Sequence, residues 1–427
     1  MCLGAASLGF GPGELFNPLT APPTAPLTWY EILASPFGLV AFLPLAPLVR
    51  LAARRHRRAA LIAGGLLWLI ATLGPVATLI FLAGVSAGAA WVLALWTLRR
   101  RGRISAGPMI GLVWTGLHLL ALPVWWFPGA DWYGWQPSRL PLLHNIGFAY
   151  FLLRFIAWGH GLARDPRQPL RLTDTVCWIL YPPCMRLGPL LLRDGFLERF
   201  DAWNPAARTD WPLVLRRLAQ FLVGMTILGF VASNTPRTVP GGPSFFAAPE
   251  NYSTDKLLRI VYLLPLQVYL LLWSYNELAA GLAAWVGIRV DDNFNWLPAA
   301  TSIREFWRRW HVTVGAWLRN YIYIPLGGNR GPVWLHYLAV FAYVGVWHGP
   351  SWSFSAWAWA QALALILQRQ WDRLRARIGW LARPAGPVWT LLSWLLTMHY
   401  AVITIVVFTD IDYCGVRLFR ELLARLS

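Results

Sequence analysis

His348 lies in sequence surroundings that could support proton transfer inside a membrane. It follows an apolar run, residues 333–347, and precedes Gly349, Pro350 and a second run, residues 351–368. A helix over the first run rises only about 22 Å, whereas a hydrocarbon core is about 30 Å thick, so we expect His348 at membrane depth. An ionisable residue there is a functional candidate, with a structural hydrogen bond as the alternative. A neutral imidazole could take a proton from a hydroxyl that attacks a thioester, and return it to the departing thiol.

A second histidine, His311, ends a polar segment at residues 301–311. Ser302 and Glu305 have the spacing of a capping box, which predicts that a helix begins there. The segment lies between two apolar regions, so we expect an amphipathic helix at the cytoplasmic interface of a membrane.

On a continuous helix this segment would present one cationic face. Arg304, Arg308 and His311 are spaced at i, i+4 and i+7, whereas Phe306 and Trp310 lie on a different side. Guanidinium groups pair well with phosphate and carboxylate. The face could therefore bind the phosphates of a coenzyme A thioester or the acidic surface of an acyl carrier protein. A basic helix that only holds anionic lipid headgroups is the alternative.

The composition indicates an integral membrane protein. Of the 427 residues, 57% are hydrophobic and 13% are charged, whereas soluble proteins average roughly 25% charged residues. The many Trp and Tyr side chains favour membrane–water boundaries. A membrane protein with multiple spans is the expected class, and the motifs quoted below add the expectation of a bacterial inner (plasma) membrane.

The net charge of +18 does not indicate a nucleic-acid partner, because the basic residues form short clusters between apolar runs. Clusters of this kind are topology signals that favour the cytoplasmic side. Residues 54–58 and 99–103 are two such clusters, so an even number of spans lies between them. We predict two helices over residues 59–98, with a break at Gly74 and Pro75.

The whole chain reads as one all-α membrane domain, residues 29–427, preceded by a lead-in rich in Pro and Gly at residues 1–28. Residues 174–193 are interrupted by several Pro and Gly, which predicts a broken or re-entrant element buried by other helices. Residues 127–140 are predicted to form an aromatic loop. We predict spans at about 30–49, 59–73, 76–98, 108–127, 141–160, 213–232, 256–287, 333–347, 351–368 and 388–408.

The other potential ligands indicate no metal site. The four cysteines have neither C-x-x-C spacing nor histidines at zinc-site distances, so no metal and no disulfide framework is predicted. The remaining histidines in apolar surroundings are expected to serve packing or interhelical hydrogen bonds: His118, His144, His160, His336 and His399.

Several long motifs resemble the membrane-bound O-acyltransferase (MBOAT) family, in its bacterial branch of alginate O-acetylation and teichoic-acid D-alanylation proteins. Weaker similarity extends the resemblance over roughly residues 140–410. The motifs are residues 293–295, 302–311, 317–330 and 347–349, the last with Trp352, Phe354 and Trp357.

The resemblance implies a bundle of about eleven transmembrane and re-entrant helices around a central funnel or tunnel. His348 would be the catalytic residue on its floor, and His311 the second motif histidine near the cytoplasmic mouth. Residues expected to bind the donor or line the tunnel are Arg304, Arg308, Arg309, Trp310, Arg319, Asn320, Tyr323 and Trp347.

Two positions depart from the family pattern. An acidic position of the family is Leu271 here, and a later histidine of the pattern is Gln361. A divergent subfamily is the preferred interpretation, and an inactive relative is the other.

The sequence thus predicts transfer of an acyl group, with acetyl preferred, from a cytoplasmic thioester to a hydroxyl of a cell-envelope or exported polysaccharide. The donor would be acyl-coenzyme A or an acyl carrier protein, with no bound cofactor, and an exported partner protein could complete the transfer. A lipid or protein hydroxyl is an alternative acceptor. A transporter or a non-catalytic scaffold is the alternative from a different class.

Overall fold

The computed structural model describes residues 36–126, 148–185, 187–236, 245–348, 352–378, 386–410 and 415–427. The regular structure in these ranges is helical. The predicted lead-in at 1–28, the loop at 127–140, His144 and the Gly349–Pro350 break lie outside them. The α-helices in the described ranges are Leu45–Arg100 (α1), Ala106–Trp126 (α2), Phe148–Arg164 (α3), Leu172–Ile179 (α4), Arg193–Ala202 (α5), Trp211–Asn234 (α6), Thr254–Val286 (α7), Ile303–Arg309 (α8), Val312–Leu318 (α9), Val333–His348 (α10), Trp352–Arg377 (α11), Pro387–Thr409 (α12) and Val416–Leu426 (α13).

Four of the described helices, α1, α6, α7 and α12, are long and apolar enough to cross a membrane. Shorter apolar stretches occur at Ala106–Ala121 and Val333–His348. Large apolar side chains point outward from these helices, including Phe230 and Leu396, which are 70% and 74% exposed. Such surfaces suit lipid, in which every backbone polar group must be bonded within the helix. The prediction of an all-α integral membrane protein is confirmed.

Helix α1 is interrupted where the sequence predicts a break. Gly74 has φ 74° and ψ 168°, a conformation open to glycine and strained for other residues, and Pro75 follows it. His56 is a second non-helical point, with φ −136° and ψ 72°. The two predicted helices over 59–98 are therefore present as consecutive parts of one long element.

The predicted span at 30–49 is wrong over its described part. A 3₁₀-helix covers Pro36–Phe42, and α1 begins only at Leu45, after Pro44 at the N-cap. Proline has no N–H to donate, so it is tolerated at a helix start and not in a helix interior. Apolar composition alone did not reveal this boundary.

The described chain divides into two compact units. One contains Ser274–Asn293 and the described residues up to Leu222, including the predicted broken element. There α4, a 3₁₀-helix at Pro182–Cys184 and α5 are joined by non-helical turns.

The broken element is buried, as predicted. Side chains donate hydrogen bonds to backbone carbonyls that have no helical partner there. Trp178 Nε1 donates to the carbonyl of Leu191 at 2.9 Å. Asn276 Nδ2 donates to the carbonyl of Leu187 at 3.0 Å. These bonds satisfy polar groups that lipid could not.

The other unit contains Val223–Trp273 and Phe294–Ser427. Its core includes a cluster on α10 and α11, with Trp307, Ile322 and Phe408 packed against it. Both motif histidines and the eight other predicted site residues belong to this unit. Helices α8 to α12 therefore position the candidate site.

Candidate functional site

Helix α8 begins at the predicted capping box. Ser302 Oγ accepts a hydrogen bond from the N–H of Glu305 at 3.2 Å. The Glu305 carboxylate in turn accepts from the N–H of Thr301 at 3.0 Å, and this bond holds the pKa of Glu305 below its usual value. The return bond thus goes to the residue before the cap, and the predicted start is confirmed.

The helix ends earlier than predicted. It spans only Ile303–Arg309, and His311 has φ 44° and ψ 51°, in the left-handed region. The N–H of Asn295 donates to the carbonyl of Arg309, and Arg309 Nη1 donates to the carbonyl of Asn295, both at 3.0 Å.

The prediction that Arg304, Arg308 and His311 form one continuous cationic face is therefore wrong. Hydrogen bonds between Arg309 and the preceding loop turn the chain at Trp310. No Gly or Pro marks this turn in the sequence. Phe306 and Trp310 were predicted to share one side, and their rings do stack, with centroids 5.7 Å apart and an interplanar angle of 16°.

The turn places His311 among aromatic rings. Its centroid lies 5.0 Å from that of Phe294 and 5.4 Å from that of Trp310. Burial lowers the pKa of His311 to about 4. The imidazole is therefore neutral at pH 7, where it can donate or accept a hydrogen bond but is a poor proton acceptor.

Two of the predicted donor-binding arginines are engaged with the protein itself. Arg304 Nη2 lies 2.7 Å from Asp372 Oδ2, and its backbone N–H donates to Gln368 Oε1 at 3.0 Å. Arg309 is used in the bond to Asn295 described above. These two guanidinium groups hold α8 against its neighbours. Stabilising the fold is therefore an alternative to their predicted role in donor binding.

The other predicted polar residues lie closer to solvent. Arg308, Arg319 and Asn320 are exposed. Tyr323, in a π-helical turn at Arg319–Tyr323, donates its hydroxyl to Asn329 Oδ1 at 2.9 Å. Arg308 and Arg319 make no ion pair among the described residues, so they are available to an anionic ligand.

His348 is surrounded by aromatic side chains. Its ring centroid lies 4.8 Å from that of Trp347 and 4.9 Å from that of Phe408. Phe354 and Trp357 follow at 5.7 and 5.6 Å. Trp357 and Phe408 are almost perpendicular to the imidazole, at 89° and 85°. We call these four residues the aromatic cage of His348.

A continuous path of aromatic contacts joins the two histidines. From the cage, Trp357 contacts Trp307 at 6.0 Å, and Trp307 contacts Phe306 at 5.6 Å. Phe306 stacks on Trp310, which contacts His311. The structure therefore connects the two histidines through a series of packed rings.

Gln361, at the position of the expected histidine, is buried beside this path. It accepts a hydrogen bond from Trp307 Nε1 at 3.3 Å and donates to Thr404 Oγ1 at 2.9 Å. It connects α8 with α12 through α11. Sequence reasoning identified the departure at Gln361 and did not identify these two bonds.

Phe408 and Trp307 were also missed as neighbours of the site. Phe408 lies near the end of α12, sixty residues after His348, and the run that precedes it is mostly apolar. Trp307 was part of a quoted motif without a role. Only the packing of α8, α11 and α12 shows what these rings contact.

Four described histidines that were predicted to serve packing or hydrogen bonds have structural partners. His336 Nδ1 lies 2.8 Å from the carbonyl of Gly328, and Trp114 Nε1 donates to His160 Nε2 at 2.8 Å. His118 and His399 each bond a carbonyl of their own helix.

The comparisons with known proteins agree with the motifs. The family model described as the membrane-bound O-acyltransferase family matches residues 109–409. The chain is 30% identical over 237 residues to a protein from Azotobacter vinelandii named probable alginate O-acetylase AlgI, covering 53% of this chain and 45% of that protein. It is 32% identical over 230 residues to the Helicobacter pylori peptidoglycan O-acetyltransferase, covering 53% and 42%.

A more distant relative is the Bacillus subtilis teichoic acid D-alanyltransferase, which is 23% identical over 297 residues and covers 64% of this chain and 71% of that protein. The chain spans about half the length of the alginate and peptidoglycan relatives. The family model nevertheless covers well over half of the chain, including both histidines and the aromatic cage. The chain belongs to the membrane-bound O-acyltransferase family.

Proposed function

We propose that this protein transfers an acyl group, acetyl in the first instance, from a thioester to a hydroxyl of a cell-envelope or exported polysaccharide. The observation that carries the proposal is the aromatic cage of His348, at the end of an apolar helix in a chain of this family. Relatives named for acetylation of alginate and peptidoglycan and for alanylation of teichoic acid support a polysaccharide acceptor.

His348 is the general base of the proposed reaction. The acceptor oxygen attacks the thioester carbonyl carbon while the imidazole takes the hydroxyl proton. The carbon–sulfur bond then breaks, and the imidazolium returns that proton to the departing thiolate. One C–O bond forms and one C–S bond breaks, so no oxidant or reductant is needed.

The aromatic cage assists this cycle in two ways. Rings that pack around the imidazole exclude water, which would otherwise compete with the acceptor for the acyl group. Aromatic faces also attract a cation, so Trp357 and Phe408 would stabilise the imidazolium while it holds the proton.

His311 supports the reaction differently. With a pKa of about 4, it stays neutral throughout a cycle at pH 7 and is poorly suited to be the base. Its location beside Trp310, on the path that leads to Trp357, supports a role as a hydrogen-bonding group for the donor.

The donor is a coenzyme A thioester or an acyl carrier protein on the cytoplasmic side of a bacterial inner membrane. The exposed guanidinium groups of Arg308 and Arg319 would attract its phosphates or carboxylates, with Asn320 and Tyr323 as nearby hydrogen-bonding groups. An exported partner protein could carry the acyl group onward. A lipid or protein hydroxyl is the alternative acceptor, and a scaffold or transporter without turnover is the alternative function.

The test is release of free thiol from acetyl-coenzyme A by the purified protein, with envelope extract as acceptor. The matched control for His348→Ala is His399→Ala, because His399 is exposed on α12 and its described partners, the carbonyl of Leu395 and the ring of Tyr262, lie outside the aromatic cage. Loss of thiol release in His348→Ala alone supports the proposal. Equal rates in both variants and wild type, with a carrier-protein donor also tried, would favour the scaffold or transporter.

A further inference from the structure

The loop between the π-helical turn and α10 has a backbone that depends on glycine. Gly327, Gly328 and Gly331 have φ values of 117°, 59° and 70°. The carbonyl of Gly328 is held by the buried His336 at 2.8 Å. The loop overlaps the end of the motif at residues 317–330, yet none of its residues has a role in the proposed chemistry. Its fixed shape therefore calls for a different explanation.

A small pocket opens between this loop, the start of α10 and the last turns of α11. Aromatic, amide and cationic side chains share its wall, a combination that suits a polar ligand with a negative charge. The pocket is lined by Gly331, Val333, Trp334, Tyr337, Ile366, Arg369, Gln370 and Arg373.

The two arginines of the pocket have no acidic partner among the described residues. Asp372, the acid between them in sequence, is already paired with Arg304 at 2.7 Å. Arg369 Nη1 reaches only the amide oxygen of Asn329, at 3.4 Å, and Arg373 Nη1 reaches Gln370 Oε1 at 3.4 Å. Arg369 Nε is buried without a hydrogen-bond partner in the described part of the chain. Donor capacity therefore remains for a ligand.

The surroundings add further positive potential. The pocket includes Val333, the first residue of the sixteen-residue helix α10, and the N-terminus of a helix favours anions. Burial raises the pKa of Tyr323, and the nearby guanidinium groups of Arg369 and Arg319 oppose that rise. Arg369 thus lies close to the predicted donor-binding residues.

We propose that this pocket is a binding site for a phosphate group, held by Arg369 and Arg373 at the N-terminus of α10. Arginine binds phosphate bidentately, and two guanidinium groups without an acidic partner among the described residues suit a doubly charged anion. Two sources have this chemistry: the phosphate of a thioester donor and the headgroup of an anionic phospholipid.

The length of α10 limits how a thioester donor could bind with its phosphate in the pocket. Val333 at the pocket and His348 at the aromatic cage are separated by a rise of about 22 Å. A donor phosphate bound at the pocket would therefore need a long, extended arm to bring a thioester towards His348. Phosphopantetheine thioesters have such an arm. This source rests on the proposed function, whereas the lipid source does not.

Direct binding tests the pocket without turnover. The double variant Arg369→Gln/Arg373→Gln removes the two pocket charges. A second double variant, Arg375→Gln/Arg377→Gln, removes equal charge from the same helix end without changing the lining. In equilibrium dialysis with labelled pyrophosphate, we expect at least tenfold weaker binding by the pocket variant and less than twofold change in the control. Native mass spectrometry with phosphatidylglycerol or phosphatidylcholine tests the lipid source in the same way.

A kinetic assay distinguishes a thioester donor from a phospholipid as the source of the bound phosphate. For a thioester donor, the pocket variant raises the KM for acetyl-coenzyme A at least tenfold and leaves that for acetyl-pantetheine, which lacks phosphate, unchanged. For a lipid headgroup, only the retention of phosphatidylglycerol falls. Equal binding of pyrophosphate and phosphatidylglycerol by both double variants would overturn the proposal. If no thioester is turned over but binding still differs, the phosphate site stands and the proposed acyl transfer fails.

Discussion

The two motif histidines belong to one compact unit but differ in what holds them. His348 ends a sixteen-residue apolar helix and is surrounded by four rings, one of which, Phe408, comes from helix α12. His311 lies at a sharp turn between two seven-residue helices, in the left-handed region. Four rings surround the first imidazole, which remains partly exposed, whereas the second lies against Phe294 and Trp310, where burial lowers its pKa. The difference supports the proposed assignment of His348 as the base and of His311 as a supporting group.

The largest effect should follow from removing the base. General-base catalysis contributes about 10²–10⁴-fold, so His348→Ala is expected to lower thioester turnover by at least 10²-fold. The free energy of unfolding should change little in comparison, because the imidazole is at a helix end and only partly buried. Steady-state thiol release together with thermal unfolding measures both. Equal losses in His348→Ala and His311→Asn would break the assignment of different roles.

His311 should instead be visible in the pH dependence of stability. Its folded pKa, about 4, is below the ordinary value near 6.5, so the unfolded chain binds a proton that the folded chain excludes between these values. Stability therefore falls as pH drops through this window, by about 2 kcal/mol between pH 7 and pH 5.

Asparagine tolerates the left-handed conformation and does not titrate. In detergent, His311→Asn should thus lose less stability than wild type between pH 7 and pH 5. Thermal unfolding at the two pH values measures this difference. Identical losses would show that His311 does not titrate in this window, and the neutral-group interpretation would then fail.

Gln361 bonds Trp307 on α8 and Thr404 on α12, beside the aromatic path between the two histidines. Its substitution should have a moderate effect on stability and turnover. Gln361→Leu leaves the indole N–H of Trp307 without its acceptor, which costs about 1–2 kcal/mol for a buried group. We expect lower thermal stability and a fall in turnover of less than tenfold. Gln361→His, which restores the residue of the family pattern, can keep one of the two bonds and should lose less. A fully stable Gln361→Leu would mean that these bonds contribute nothing.

The sequence predicted much of the fold because membrane helices depend on local composition. The spans at 213–232, 256–287 and 388–408 match α6, α7 and α12 closely, and the break at Gly74 follows from its own chemistry. The capping box predicted the start of α8 for the same reason. Each of these features is specified by residues adjacent in the chain.

The site was less predictable because its geometry depends on distant contacts. The end of α8 at Arg309 is determined by hydrogen bonds to Asn295 and by the packing of Trp310. A helical period carries no information about such partners. The same holds for Phe408, whose proximity to His348 depends on how α12 packs. Motif resemblance identified the residues, and tertiary packing assigned their neighbours.

The smallest expected effect distinguishes two arginines that the sequence treated alike. Arg304 is paired with Asp372, whereas Arg308 is exposed and makes no ion pair among the described residues. Arg304→Gln should cost stability by no more than about 1 kcal/mol, as partly exposed ion pairs do, and leave donor affinity unchanged. Arg308→Gln should raise the donor KM a few-fold at low salt, and this difference should vanish at high ionic strength because exposed charges are screened. Donor titrations at two salt concentrations measure it. A larger KM change in Arg304→Gln than in Arg308→Gln would mean that Arg304 leaves Asp372 to bind the donor. The donor-binding role predicted for Arg304 from the sequence would then be supported.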